Sequence, residues 1–448
     1  MYSLIAISSI FLSCLITRTC KKEPVIFNSI FIIYLVWHLP LVLSIILPFS
    51  FPLREEENNF PYILFFLVMI HIIIFGGVYA WIKWYKSNRI LFSTSQNTKR
   101  EERLSPIYLI GAFSAPIILA IDNFLIKGVS ISLDLSQNRD LATSTATLLS
   151  LIGVFLAGLC LYLLNWTLKK QSDKVQFNIF YLLPFIMTSI VITLTGNRQF
   201  LFLGVNFILF KSISIYRPKI SHVIKWLLYI IAFSVPFGIG FQFLRQSALE
   251  GQQDIFIISI MKLTILNDHL LVNFLYSNKI LLLPALYIYV YFGTQYDTLS
   301  ATIRIIDENM PFTSLTLPVL YRRWNAFFNL PDQDAIVDMI YNQIESEYGI
   351  FPAIWNTMFA GIYLEGGILY IVIFSLLLCY IHFNLTNNYL NNKKNGTFNL
   401  IIFYMFMSFG IITIGTYEVP FFFLILQALI SSMLINKNRR IERSLIDI

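Results

Sequence analysis

An all-α bundle of membrane-crossing helices is the fold class that this 448-residue sequence predicts, on three observations. Hydrophobic residues make up 57% and charged residues 13%, with a mean hydropathy of +0.69, which leaves too little polar surface for a water-soluble chain of this length. The apolar residues come in uninterrupted runs of about 20, the length that crosses the hydrocarbon layer as a helix. The runs also lack the period-2 alternation of a transmembrane barrel. In lipid every backbone N–H and C=O must be paired inside the chain, so helices are what remain.

About eleven stretches qualify (bounds of about 10 to 13): 1–17, 25–50, 61–82, 106–126, 145–165, 179–195, 200–216, 226–243, 354–382, 398–416 and 419–436. The sixth and seventh are the shortest. The first lacks a basic n-region and a small-residue cleavage site and is followed by Arg18, Lys21 and Lys22, so it is read as a retained span. Between the eighth and ninth spans lies one large external loop, 244–353. Its apolar runs 255–266 and 281–292 are too short to cross and are read as interfacial or re-entrant helices. Its segment 331–348, carrying Asp332, Asp334, Asp338, Glu345 and Glu347, is read as a polar helix outside the membrane. With no tandem repeat and no Gly/Ser- or Pro-rich linker, 1–448 is a single membrane domain with one elaborated loop.

Orientation follows from the cations. With the N-terminus outside and the C-terminus cytoplasmic, most of the 32 Lys and Arg fall in cytoplasmic loops: Arg18 to Lys22, Lys83 to Arg103, Lys169 to Lys174, Lys211 to Lys225, Lys393 with Lys394, and the tail from Lys437. The short outer connections hold only Arg54, Lys127, Arg139 and Arg198. The formal charge of +7 therefore describes membrane orientation, and no nucleic-acid partner is needed to explain it.

Several chemistries lack their residues. There is no P-loop, no GxGxxG after a strand, no CxxC pair and no HExxH. Cys14, Cys20, Cys160 and Cys379 lie in spans or at the cytoplasmic edge, where they are packing residues and build no disulfide framework. His38, His71, His222, His269 and His382 are scattered, so no metal site is expected.

What remains is arginine at the outer surface, against the orientation rule. Arg198, in Thr195-Gly196-Asn197-Arg198-Gln199, sits in a tight turn between two short apolar segments at the outer boundary. A cation so near hydrocarbon costs about 2.5 kcal/mol or more unless it snorkels or is paired. Either it reaches lipid headgroups or it binds an anionic substrate group. Arg245 follows the eighth span, and Arg304, Arg322 and Arg323 lie along the loop, the last two beside Trp324. A planar fork of N–H donors matches phosphate oxygens, so two or three converging arginines would hold a diphosphate without a metal. Tyr321, Trp324, Tyr348 and Trp355 could stack on sugar rings, although interfacial aromatic belts need no ligand. Asp122, Glu365 and Glu418 are unusual as acids in or beside spans. Asp122 and Glu418 mark points where helices leave the membrane. Glu365, beside Gly366 and Gly367, either pairs with an arginine or lines a reaction site.

In the order of these pieces the chain resembles the Wzy-type oligosaccharide repeat-unit polymerases, which build O-antigen and related surface polysaccharides in bacteria. The resemblance rests on Gly196-Asn197-Arg198 between mid-chain spans, Arg245 after the next span, the external loop, the aromatic stretch Tyr287 to Gly293, and a late span opening with Asn356-Thr357, Tyr363, Gly366 and Gly367. It covers roughly residues 100–430, and the chain departs from it at Glu365, where relatives often carry aspartate or phenylalanine.

The resemblance implies a GT-C-like fold in the bacterial inner membrane and undecaprenyl-diphosphate-linked oligosaccharides as substrates. It implies no cofactor, and as partners membrane lipids, a repeat-unit flippase and a chain-length regulator. Arg198 and Arg245 would stabilise the leaving diphosphate, with His269 and Glu365 as competing candidates for a general base. Asn197, Arg304, Arg322, Arg323, Trp324 and Tyr363 would bind substrate. Two other readings stay open: an O-antigen ligase, with a similar donor and a different acceptor, and a lipid-linked oligosaccharide flippase or transporter.

Overall fold

The computed structural model describes residues 2–50, 60–87, 106–130, 147–171, 174–195, 199–230, 264–265, 271–305, 357–391 and 393–410, with the single positions 141, 232, 342, 343, 346 and 425. In chain order the helices are α1 (Tyr2–Thr19), α2 (Pro24–Ile46), α3 (Phe60–Ser87), α4 (Pro106–Ala120), α5 (Leu148–Thr167), α6 (Ile179–Leu194), α7 (Gln199–Tyr216) and α8 (Ile220–Ile230). There follow α9 (Val272–Ser277), α10 (Lys279–Ile288), α11 (Gln295–Ile305), α12 (Met358–Asn391) and α13 (Lys393–Phe409). Helices α4 and α10 run on into π-helical turns, Ile121–Ile126 and Tyr289–Gly293. Two short antiparallel ladders pair β1 (Phe49–Ser50) with β4 (Thr264–Ile265) and β2 (Leu168–Gln171) with β3 (Lys174–Phe177).

Among the described residues six helices are long and apolar enough to cross a membrane: α2, α3, α4 with its π turn, α5, α7 and the Gly366–Asn391 part of α12. Shorter apolar helices occupy Ala6–Thr19, α6, α8 and Gly396–Phe409. These fall on the first ten predicted stretches, the eighth only in part, and the eleventh, 419–436, lies outside the described residues. The outward faces are apolar, with Ile7 and Phe11 on α1 and Leu369 and Tyr380 on α12 all exposed, as expected of helices whose solvent is lipid.

Local chemistry sets the element ends. Pro24 occupies the first turn of α2, where its missing N–H is no loss. Thr147 caps α5 by accepting from the Ser150 N–H at 2.9 Å, and Asn178 caps α6 by accepting from the Phe180 N–H at 3.0 Å. Arg217, at φ 47°, closes α7 in the left-handed region immediately before Pro218.

The chain divides into two compact units, with α3, α12 and α13 contributing to both. The second comprises Ala80–Arg217, Asn384–Met405 and Glu418–Ile448. Its centre is the mutual packing of α4, α5 and α6, with α7 against α5 and α6. Small residues permit this: a Cβ on Gly153 would meet Leu119 at 2.8 Å. The first unit comprises Met1–Tyr79, Pro218–Phe383 and Phe406–Tyr417. In it α1 packs on α2, and the Tyr289–Gly293 turn packs on α2, with the fully buried Tyr289 ring 5.5 Å from Phe49. Gly76 and Gly77 carry α3 against α12 so closely that a side chain on Gly76 would overlap the Cys379 carbonyl and one on Gly77 the His382 ring.

One part of the loop is polar and yet buried, a feature that the sequence did not predict. Helix α11 is polar along its length and yet buried, with Thr294, Gln295, Asp297, Ser300 and Thr302 all without exposed surface. The physical reason is internal satisfaction. The hydroxyls of Thr298, Ser300 and Thr302 each donate to the carbonyl one turn earlier, at 3.0, 2.8 and 2.8 Å, so they need no water.

Candidate functional site

Helix α11 organises the candidate site within the first unit. Its first turn carries Asp297 and its last turn Arg304, the placement that the helix dipole favours for each sign of charge. The Tyr296 hydroxyl donates to the Trp37 carbonyl at 2.9 Å and so ties α11 to α2. Burial pushes the ionisation of Tyr296 up, so it remains a hydroxyl donor. Trp37 in turn donates through Nε1 to the Met407 carbonyl at 2.8 Å, and its ring lies 5.5 Å from Phe359, which stacks on Phe66 at 5.4 Å. An aromatic base thus supports the polar helix.

Arg304 projects over the Tyr62 ring of α3, with its guanidinium carbon 5.7 Å from the centroid. Such a cation–π contact is worth about 0.5 to 2 kcal/mol and restrains the guanidinium plane. Tyr363 of α12 donates its hydroxyl to the carbonyl of Ile303, the residue before Arg304, at 3.3 Å. Two residues that the sequence singled out for substrate binding, Arg304 and Tyr363, are therefore brought to one place.

Helix α12 breaks just beyond Tyr363. Gly366 has φ −172° and ψ 26°, and Gly367 has φ 64° and ψ −157°, so a short buried segment from Met358 meets the longer span at a non-helical joint. Gly367 requires glycine, because L side chains rarely adopt a φ of that sign. Glu365 is the last helical residue before the joint. The short segment is anchored at its other end by the Met358 N–H, which donates to the Gly410 carbonyl at 2.7 Å.

Arg198 and Asn197 lie outside the described residues, as do Arg245, His269, Arg322, Arg323 and Trp324. The flanks of the Arg198 turn are described: α6 ends at Leu194, Thr195 donates its hydroxyl to the Ile192 carbonyl at 2.7 Å, and α7 begins at Gln199 and packs on α6. A short connection between packed helices is what the sequence predicted there.

Tyr62, Tyr296, Asp297 and Trp37 were missed by sequence reasoning. The signal for α11 was present as hydroxyl residues at four-residue spacing after an apolar run, whereas Tyr62 reads as an ordinary interfacial aromatic. Asp122, read as a helix exit, lies near the end of the fourth span and is buried in the second unit. It pairs with Lys127 Nζ at 3.0 Å and accepts from the Ser150 hydroxyl at 2.5 Å and from the Thr147 hydroxyl, stitching the π turn after α4 to the start of α5. Among the described residues no group of three or more His, Cys, Asp or Glu side chains gathers that could hold a metal. Comparison with models of known protein families, with curated proteins and with solved structures finds no match.

Proposed function

We propose that this chain is a metal-independent membrane glycosyltransferase that joins undecaprenyl-diphosphate-linked oligosaccharide repeat units into O-antigen or a related surface polysaccharide, on the outer face of the bacterial inner membrane. The observation that carries the reading is the buried polar helix α11, which holds Arg304 over Tyr62 with the Tyr363 hydroxyl on the neighbouring carbonyl. An arginine held in this way suits the diphosphate of a lipid-linked sugar.

In the proposed reaction an acceptor sugar hydroxyl attacks the anomeric carbon of the donor chain. A new C–O bond forms, the bond from that carbon to the diphosphate oxygen breaks, and the hydroxyl proton passes to a base. Negative charge grows on the leaving oxygens, so cations placed there beforehand bind the transition state more tightly than the ground state. Arg198 and Arg245 take that role, with Arg304, Arg322 and Arg323 holding the remaining phosphate charge. Asn197, Trp324 and Tyr363 position the sugar. His269 and Glu365 are the competing bases.

The α12 joint at Gly366 and Gly367 favours a second reading, because broken helices are also how transporters build mid-membrane sites. Deletion of the gene, with complementation by wild type, Arg198→Lys and Arg304→Lys, separates the readings on a polysaccharide gel. A polymerase deletion converts the ladder to core plus a single repeat unit, restored by wild type and not by either lysine variant at normal membrane abundance. Complete loss of attached repeats favours a ligase or a flippase, and an unchanged profile sinks the proposal.

A further inference from the structure

Two of the scattered histidines meet in the first unit. His38 of α2 and His71 of α3 lie with ring centroids 6.4 Å apart, and Tyr34, one turn before His38, sets its ring 5.9 Å from His38 and 5.2 Å from His71. Helix α1 faces them with the buried Ser9 and Ser13, while Ile7, Phe11 and Leu15 are exposed. Serines and imidazoles inside lipid-facing helices are costly unless each polar atom has a partner.

The hydrogens can be assigned from the acceptors. His38 Nδ1 lies 2.7 Å from the Tyr34 carbonyl and His71 Nδ1 lies 2.6 Å from the Leu67 carbonyl. A carbonyl only accepts, so both Nδ1 atoms carry hydrogen and each neutral ring presents a lone pair at Nε2. At His38 that lone pair accepts from the Ser9 hydroxyl at 2.7 Å. At His71 it faces Ser13 Oγ at 3.5 Å, but the Ser13 hydroxyl donates to the Ser9 carbonyl at 2.8 Å. The His71 lone pair thus looks onto an oxygen whose hydrogen is already used. A proton added at His71 Nε2 meets a ready acceptor and disturbs no other bond, whereas a proton on His38 displaces the Ser9 donor.

We propose that His71, half-buried beside Ser13, His38 and Tyr34, is a proton-binding site within the membrane-spanning helices that takes one proton at Nε2 ahead of His38. Among the described residues the other titratable groups around it are few. The buried Cys20 and Glu23 lie at the α1–α2 connection. From α12, His382 is bonded through Nδ1 to the Ile73 carbonyl at 3.0 Å. Two imidazoles this close in such surroundings do not both carry charge, so the cluster holds a single proton. The site also adjoins α11 by one peptide, since His38 follows the Trp37 whose carbonyl receives Tyr296.

The test is an NMR titration of isotope-labelled histidine nitrogens in the full-length protein in lipid nanodiscs, over about pH 4 to 9, the window around the ordinary imidazole value. The expected result is one ring, identified by its loss in His71→Gln, that keeps Nδ1–H throughout and gains a proton at Nε2 before His38 does. His38→Gln leaves the His71 midpoint close to its wild-type place, because His38 is neutral while His71 titrates, and Ser13→Ala moves it down by removing the acceptor. A His71 that stays neutral across the window, protonates after His38, or starts as the Nε2–H tautomer overturns the proposal. Where a variant fails to fold, backbone-to-ring correlations assign the His71 and His38 rings in the wild-type protein, and the wild-type titration decides.

Discussion

At Asp122 both carboxylate oxygens are engaged, one by Thr147 and the other by Ser150 and Lys127, whose ammonium also donates to Ser150 at 2.7 Å. Replacing Asp122 with Ala leaves Lys127, whose side chain is 5% exposed, without its counter-ion. The expected loss is about 3–5 kcal/mol of stability, largely recovered when Lys127→Met is added, as read from unfolding midpoints of the purified variants. Unchanged midpoints in the single variant would contradict the buried pair. The unusual acid was legible in the sequence, but its partners were not, because Thr147 and Ser150 reach it across a connection that no periodicity links to α4. Tyr363→Phe removes one hydrogen bond to the Ile303 carbonyl and is expected to cost about 0.5–1.5 kcal/mol in the same measurement. At Cys20, burial pushes the thiol up to about 12, so a water-soluble maleimide at neutral pH should label it only after unfolding. Rapid labelling of the native protein would show that the residue is open to water.

Among the elements, α12 carries the sharpest conformational demand. Gly367→Ala forces a side chain into a backbone region that costs about 1–3 kcal/mol, and the expected result is a lowered unfolding midpoint together with reduced polymer. Gly77→Leu should do more damage to folding, because its side chain would fall on the His382 ring where α3 and α12 cross, so reduced membrane abundance is its expected readout. Helices of this kind were legible because twenty apolar residues in a row admit few other structures, and most of the described helices overlap the predicted runs closely, α8 and the end of α12 excepted. The joint was less legible. Adjacent glycines signal close approach or a break with equal force, and only the dihedral angles choose between them. The burial of α11 was hidden for another reason: hydroxyls that bond back to their own helix behave as packing groups, although composition counts them as polar.

For the molecule as a whole, apolar helices and charge asymmetry lead to the same membrane reading. Reporter fusions should place 83–103 and the C-terminal tail in the cytoplasm, and a periplasmic signal from either would reverse the proposed orientation. Of the candidate site, Arg304 and Tyr363 were legible as residue types suited to an anion and a sugar, whereas their link to each other through the Ile303 carbonyl, and to Tyr62, depends on folding across three distant segments. The central claim, repeat-unit polymerisation, is tested most directly by purified full-length protein in lipid vesicles supplied with an undecaprenyl-diphosphate-linked repeat unit. The account predicts a ladder of lengthening oligosaccharides with release of one undecaprenyl diphosphate per bond, and loss of that ladder with Arg198→Lys. Repeat units that move across the bilayer or remain single, with no lipid diphosphate released, would contradict it.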